Sequence, residues 1–111
     1  MNLIKKIALA TVAISMSLAL HAKEWHDVKV TKAGKAQSGA YFLYLTDQNE
    51  DGALFEKKLF RLAEGVGPTG LAIGLEGIGG QYKVRIFSNV DTVGERVPFI
   101  YAIYLTDEQA N

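Results

Sequence analysis

The chain of 111 residues contains no cysteine, only two histidines and only two prolines. Without cysteine it cannot form a disulfide, and it cannot be a lipoprotein attached through an N-terminal cysteine. The shortage of thiols and imidazoles also argues against a zinc site. A small domain with none of these supports must be stabilised by its hydrophobic core or by an oligomer interface.

The first 22 residues have the organisation of a secretory signal peptide. Lys5 and Lys6 form a positive n-region, and Ile7 to Leu20 is an uncharged apolar core. The small residue Ala22, followed by Lys23, suits signal-peptidase cleavage. The apolar core is shorter than the roughly 20 residues of a membrane span. We expect a signal peptide over 1–22, one domain over 23–111, and a secreted or periplasmic protein with no membrane span after processing.

The charge balance disfavours nucleic acid as a partner. The chain has 12 basic and 12 acidic residues, and two of the basic ones, Lys5 and Lys6, lie in the predicted signal peptide. The remaining domain is therefore slightly acidic. A nonspecific nucleic-acid binder needs a basic surface instead.

The fold prediction depends on a change of apolar period within residues 67–87. Leu71, Leu75 and Ile78 recur at helical spacing, whereas Tyr82 to Phe87 alternate as a strand would. Further strand-like runs are 25–32, 41–46, 54–62 and 99–105. The sequence predicts a mainly β domain with one short helix, in the order β-β-β-α-β-β, which is typical of a five-stranded OB-fold-like barrel.

The predicted helix is rich in glycine, which is unfavourable for helix formation. Pro68 suits its first turn, and Gly79 with Gly80 suits its end. Gly70, Gly74 and Gly77 share a face, so the barrel or a neighbouring subunit should approach that face closely. We expect the helix to be a packing or interface element through Gly70, Leu71, Gly74, Leu75 and Gly77; a glycine-rich loop is the alternative.

Two motifs match known sites only in part. Asp47-x-Asn49-x-Asp51-Gly52 resembles the start of a calcium loop, but Lys58 stands where the bidentate glutamate belongs. A hairpin turn is the better interpretation.

Residues 65–70 fit the spacing GxGxxG, with Asp91 downstream, but no parallel βαβ unit follows. No cofactor and no metal are predicted.

Catalytic residues are scarce in the predicted mature domain. His26 is its only histidine, and Ser38 and Ser88 are its only serines. No nucleophile elbow surrounds either serine. Paired carboxylates of a glycoside hydrolase remain an alternative, although no spacing singles out a pair. We predict a protein that is not an enzyme.

Aromatic residues are the best candidates for ligand binding. The tryptophan and the tyrosines could stack on sugar rings, or fill the core or a subunit interface. We predict Trp25, Tyr41, Tyr44 and Tyr82 as ligand-binding residues; Tyr101 and Tyr104 belong to the same group.

Several short matches resemble the B subunits of AB5 toxins, in the subtilase-cytotoxin and pertussis-like branch. They are Glu24-Trp25, Tyr41-Phe42, Gly80-Gln81 and Val84-Arg85-Ile86. The resemblance implies a secreted OB fold, a ring-shaped homo-oligomer, binding of sialylated glycans and a separate catalytic subunit. Such subunits usually have an intrachain disulfide, which this chain cannot form, and Leu45 falls near an acidic position of their sugar pocket.

The leading hypothesis is therefore an exported, non-catalytic binding module, oligomeric and glycan-binding. The alternative is a small periplasmic protein that binds or inhibits a protein partner.

Overall fold

The computed structural model describes residues 23–90 and 96–111. The predicted signal peptide, with Ala22 of its cleavage site, and Asp91 of the GxGxxG interpretation lie outside these residues. The described part contains five strands and one helix: β1 (Glu24–Lys35), β2 (Tyr41–Asp47), β3 (Lys58–Leu62), α1 (Gly67–Gly80), β4 (Tyr82–Ser88) and β5 (Phe99–Gln109). The predicted mainly β composition and the order β-β-β-α-β-β are confirmed. β1 and β5 extend beyond their predicted ends.

The five strands form one mixed sheet that closes on itself in a ring, in the order β1-β2-β3-β5-β4. β4 pairs with β1 to complete the ring. All pairs are antiparallel except β3 with β5, which run parallel through Arg61 with Phe99 and Leu62 with Ile100. The ring leaves an inner face that can be shielded from water and an outer face that meets solvent.

β1 pairs with two different strands along its length. Its first half, Glu24 to Val28, pairs with β4, and the part from Val28 to Lys35 pairs with β2. The register with β2 shifts between Val30 and Lys32. At this bulge the Thr31 hydroxyl donates a hydrogen bond to the Tyr44 carbonyl, at 3.1 Å. A bulge increases local twist, which helps one strand to bend around a closed sheet.

Alternating residues of the strands fill the interior of the ring. In β2 and β4, for example, every second residue is buried, as alternation predicts. The buried hydrophobic residues form one cluster: Val28, Val30, Leu43, Leu45, Phe55, Phe60, Leu62, Val84, Ile86 and Ile100.

The third strand is shorter than predicted. The sequence suggests a strand from Leu54 to Leu62, with Phe55 and Phe60 on opposite faces, but β3 begins at Lys58. Lys57 has a positive φ of 46°, which interrupts the alternation. Phe55 therefore joins Phe60 in the core, with ring centroids 5.1 Å apart. The predicted strand boundary and the opposite placement of these rings are both wrong.

The glycine face of α1 lies directly against the strands. Gly70, Gly74 and Gly77 are buried. A Cβ atom would lie 2.8 Å from Leu62 Cδ2 at Gly70, 2.6 Å from Leu43 Cδ2 at Gly74 and 2.7 Å from Val84 Cγ2 at Gly77. The glycine spacing predicts that either the barrel or a neighbouring subunit packs closely against this face. The strands of the same chain make this contact.

The larger side chains of α1 divide between the core and the solvent, and Leu71 and Ile73 pack against the core cluster. Leu71 is half-buried, Leu75 is 52% exposed and Ile78 is also exposed. The helix ends at Gln81 in the left-handed conformation, one residue after the predicted glycine stop. No helix in residues 23–90 and 96–111 combines the length and the hydrophobicity of a membrane span.

Candidate functional site

The four aromatic residues predicted to bind a ligand lie in separate places. Tyr41 contacts Gly67 at the start of α1, and Tyr82 contacts Gly80 at its end. Tyr44 lies beside Phe42 on the outer face of β2, in a pocket of about 220 Å³. Trp25 lies near the start of β1, opposite Phe87 of β4. The four residues therefore do not form one stacking surface.

Trp25 belongs instead to a group of three rings, two exposed and one half-buried, which we call the aromatic platform: Trp25, Tyr104 and the half-buried Phe87. The Trp25 ring centroid is 5.1 Å from that of Phe87 and 5.6 Å from that of Tyr104. Trp25 and Tyr104 are each 45% exposed. Tilted rings at these separations attract each other and limit side-chain freedom. The platform is a preformed aromatic surface open to solvent.

Charged residues extend the platform along the outer face. Arg85 pairs with Tyr104 across β4 and β5, and with Asp27 across β4 and β1. Its guanidinium lies 5.7 Å from the Trp25 ring. Its Nε atom is 3.9 Å from Asp27 Oδ1. Both side chains of this ion pair are more than 40% exposed, so its contribution to stability is small. Arg85 thus lies between the Asp27 carboxylate and the Trp25 ring.

An open cleft of about 470 Å³ begins at Trp25, and we call it the Trp25 cleft. Its walls are residues 25–27 of β1, residues 47–51 after β2, Lys83 of β4 and Glu108 of β5. Carboxylates and side-chain amides dominate this lining, and Trp25 is its large aromatic surface. This lining is mostly polar, whereas most small-molecule sites are lined mainly by hydrophobic residues.

The wall formed by residues 47–51 is a turn in which side-chain oxygens accept hydrogen bonds from nearby backbone N–H groups. The Leu54 N–H donates to Asp47 Oδ2 at 2.8 Å, and the Asp51 N–H donates to Asn49 Oδ1 at 3.2 Å. In a calcium loop the side-chain oxygens of Asp47 and Asn49 would bind the ion. Here one oxygen of each side chain accepts a hydrogen bond from the backbone of the turn. In the described ranges no group of three or more His, Cys, Asp or Glu residues could hold a metal ion. The geometry supports the hairpin-turn interpretation.

The glycines of the GxGxxG spacing face the sheet. Gly67 contacts the Tyr41 ring and Gly70 contacts Leu62. Gly65 has a positive φ of 89° and makes the turn into α1. Close packing and turn geometry thus account for the presence of glycine at these positions, and no bound phosphate is needed to explain it.

The few candidate catalytic residues do not form a nucleophile–base pair. His26 meets the Phe55 ring edge-on, with centroids 6.0 Å apart. Ser88 is completely buried, and its hydroxyl has no hydrogen-bond partner among the described residues. Ser38 is exposed in the turn between β1 and β2. A Ser–His site would need a hydrogen bond that these positions do not make.

Sequence reasoning selected Trp25 but not the residues around it. Phe87 and Arg85 were not selected, and Tyr104 was considered only as one of several tyrosines. Alternation along β4 and β5 places these residues on outer faces, which is a usable signal. Their meeting at Trp25 depends on the register of three strands, which the sequence pattern does not determine.

Comparison of the chain with protein-family models, curated proteins and solved structures found no match.

Proposed function

We propose that this protein is a secreted or periplasmic, non-catalytic binding module of the OB-fold class, and that the Trp25 cleft binds a glycan. The apolar N-terminal segment supports export. The closed ring of five strands, with one helix between the third and fourth, supports the OB-fold assignment.

The observation that carries the proposal is an exposed tryptophan that is held in place beside a polar cleft. A sugar has an apolar face of C–H groups and a rim of hydroxyls. The Trp25 ring, supported by Phe87 and Tyr104, offers a rigid surface for the apolar face. Asn49 and Gln48 in the cleft offer their amide N–H groups to the hydroxyls, since their amide oxygens already accept backbone hydrogen bonds. Binding to rigid groups costs less conformational entropy than binding to mobile ones.

Trp25→Ala is expected to weaken glycan binding about 5- to 150-fold. Stacking of a nucleic-acid base on an aromatic side chain contributes on the order of 1–3 kcal/mol, and we expect a similar loss for a stacked sugar ring. A glycan array on the purified domain identifies the ligand, and calorimetry with that ligand then compares the variants. Tyr44→Ala is the matched control, since it removes an aromatic ring from another part of the surface. Equal affinity of the Trp25→Ala variant and the unchanged domain would contradict the site.

The proposal includes assembly into a homo-oligomer, in line with the resemblance to AB5 toxin B subunits and their separate catalytic subunit. The exposed leucine and isoleucine of α1, Leu75 and Ile78, support an interface there, because copies of the chain could cover them.

Light scattering on residues 23–111 at micromolar concentration is expected to give the mass of an oligomer. Leu75→Lys should shift it to the monomer mass, because a buried unpaired charge disrupts an apolar interface. Leu54→Lys is the control, since Leu54 is equally exposed but lies outside α1. A strict monomer for the unchanged domain would defeat the assembly.

A protein ligand is the second candidate, and the composition of the platform favours it. Tryptophan, tyrosine and arginine are the residues most enriched at energetically dominant positions of protein interfaces, and Trp25, Tyr104 and Arg85 lie together here. Two results together would favour this alternative: no glycan on the array binds the domain, and the domain captures one periplasmic protein that the Trp25→Ala variant does not capture.

A further inference from the structure

The Trp25 cleft has an excess of negative charge that bears on which sugar it can accept. Five carboxylates line it, whereas Lys83 and His26 are its only basic side chains. The carboxylates are Asp27, Asp47, Glu50, Asp51 and Glu108. Charges of one sign gathered in a concave site act together on a ligand. An anionic ligand is therefore repelled and a cationic one attracted.

The nearby basic groups are already paired with some of these carboxylates. Lys83 Nζ is 3.7 Å from Glu108 Oε2, and Arg85 Nε is 3.9 Å from Asp27 Oδ1. Glu50 and Asp51 are exposed on the turn wall of the same cleft. A sialic acid carboxylate would have to displace one of the two ion pairs to find a cation. A ligand ammonium group would meet exposed carboxylates without breaking either pair.

Trp25 adds a second kind of attraction for a cation, one that it already exerts on Arg85, whose guanidinium lies 5.7 Å from its ring. The face of an indole ring is the best aromatic partner for an ammonium group within about 6 Å. Trp25 is 45% exposed and forms part of the cleft wall. The cleft thus combines an aromatic face with carboxylates that accept charge-assisted hydrogen bonds. These are the groups that recognise an amine on an otherwise hydroxylated ligand.

We propose that the Trp25 cleft selects saccharides that carry a protonated amino group and discriminates against sialylated ones. This inference rests on the proposed glycan-binding function, and it names the ligand class for that same cleft. It departs from the sialylated ligands that the toxin resemblance implies.

Fluorescence titration tests the inference directly, because Trp25 is the only tryptophan of the chain. The probes are a glucosamine trimer, an N-acetylglucosamine trimer and sialyllactose, at about pH 6, below the usual range of amine pKa values. The glucosamine trimer is expected to bind at least about tenfold more tightly than its N-acetylated counterpart, with the preference falling as salt increases. Sialyllactose is expected to bind most weakly.

The double variant Glu50→Gln/Asp51→Asn should reduce the preference for the glucosamine trimer several-fold, since it removes two charges from an exposed turn. Glu76→Gln is the matched control, because Glu76 is an exposed carboxylate on α1, outside the cleft. If the N-acetylated or sialylated probe binds through Trp25 as tightly as the amine, the inference is overturned and glycan binding stands. If no saccharide changes the fluorescence and the glycan array is silent, both are overturned.

Discussion

Gly74→Leu is expected to lower the free energy of unfolding by about 3 kcal/mol, the upper range for overpacking a core. A Cβ at Gly74 would lie 2.6 Å from Leu43 Cδ2, and Leu43 is completely buried. The leucine side chain could fit only if α1 moved away from the strands. The gain in helix propensity, about 1 kcal/mol relative to glycine, is too small to offset this. Urea unfolding followed by circular dichroism measures the change.

Gly79→Leu is the matched control, because Gly79 lies in the same helix and nothing lies within 4 Å of its Cβ position. This variant should unfold at the same urea concentration as the unchanged protein, or at a slightly higher one. Equal destabilisation by the two substitutions would mean that helix geometry, and not contact with the strands, limits these positions.

Phe60→Ala is expected to cost about 3–5 kcal/mol, as for other buried phenylalanines. Phe60 is completely buried, and its ring lies 5.1 Å from that of Phe55. The truncation would leave a cavity inside the closed sheet. Because a small domain has only about 5–15 kcal/mol of stability in total, a large fraction of it would be lost. A thermal melt measured by near-ultraviolet circular dichroism should show a markedly lower midpoint.

Phe99→Ala provides the comparison, since Phe99 is 38% exposed at the start of β5. We expect it to cost less than about 1 kcal/mol, as is usual at the surface. If the melting midpoint of the Phe60→Ala variant is not lower than that of the Phe99→Ala variant, the assigned core is wrong.

The order of the elements could be predicted because local patterns determine it. Alternation along Tyr82–Ser88 and Tyr41–Asp47 marks strands. Pro68 and the change of period mark α1. The predicted start of the third strand is wrong because Lys57 has a positive φ, which no apolar pattern reveals. Turns that depend on a single dihedral angle are not visible in hydrophobic spacing.

The candidate site could be predicted only in part, for a different reason. Trp25 was selected by residue type, since a lone tryptophan near the start of a strand is conspicuous. Tyr104 and Phe87 meet it through pairing between distant strands, and that register is a property of the closed sheet. The negative charge of the cleft likewise comes from three separate segments, which only folding brings together.

The parallel pairing of β3 with β5 also affects when this chain can fold. The contact joins positions 61 and 99, and β5 is at the same time the neighbour of β4. Contacts so distant in sequence form late, because the entropy of loop closure must be overcome before they contribute energy. While β5 is still being synthesised, the other strands have no complete interior to bury. We therefore expect an unfinished chain to stay unfolded until β5 is complete.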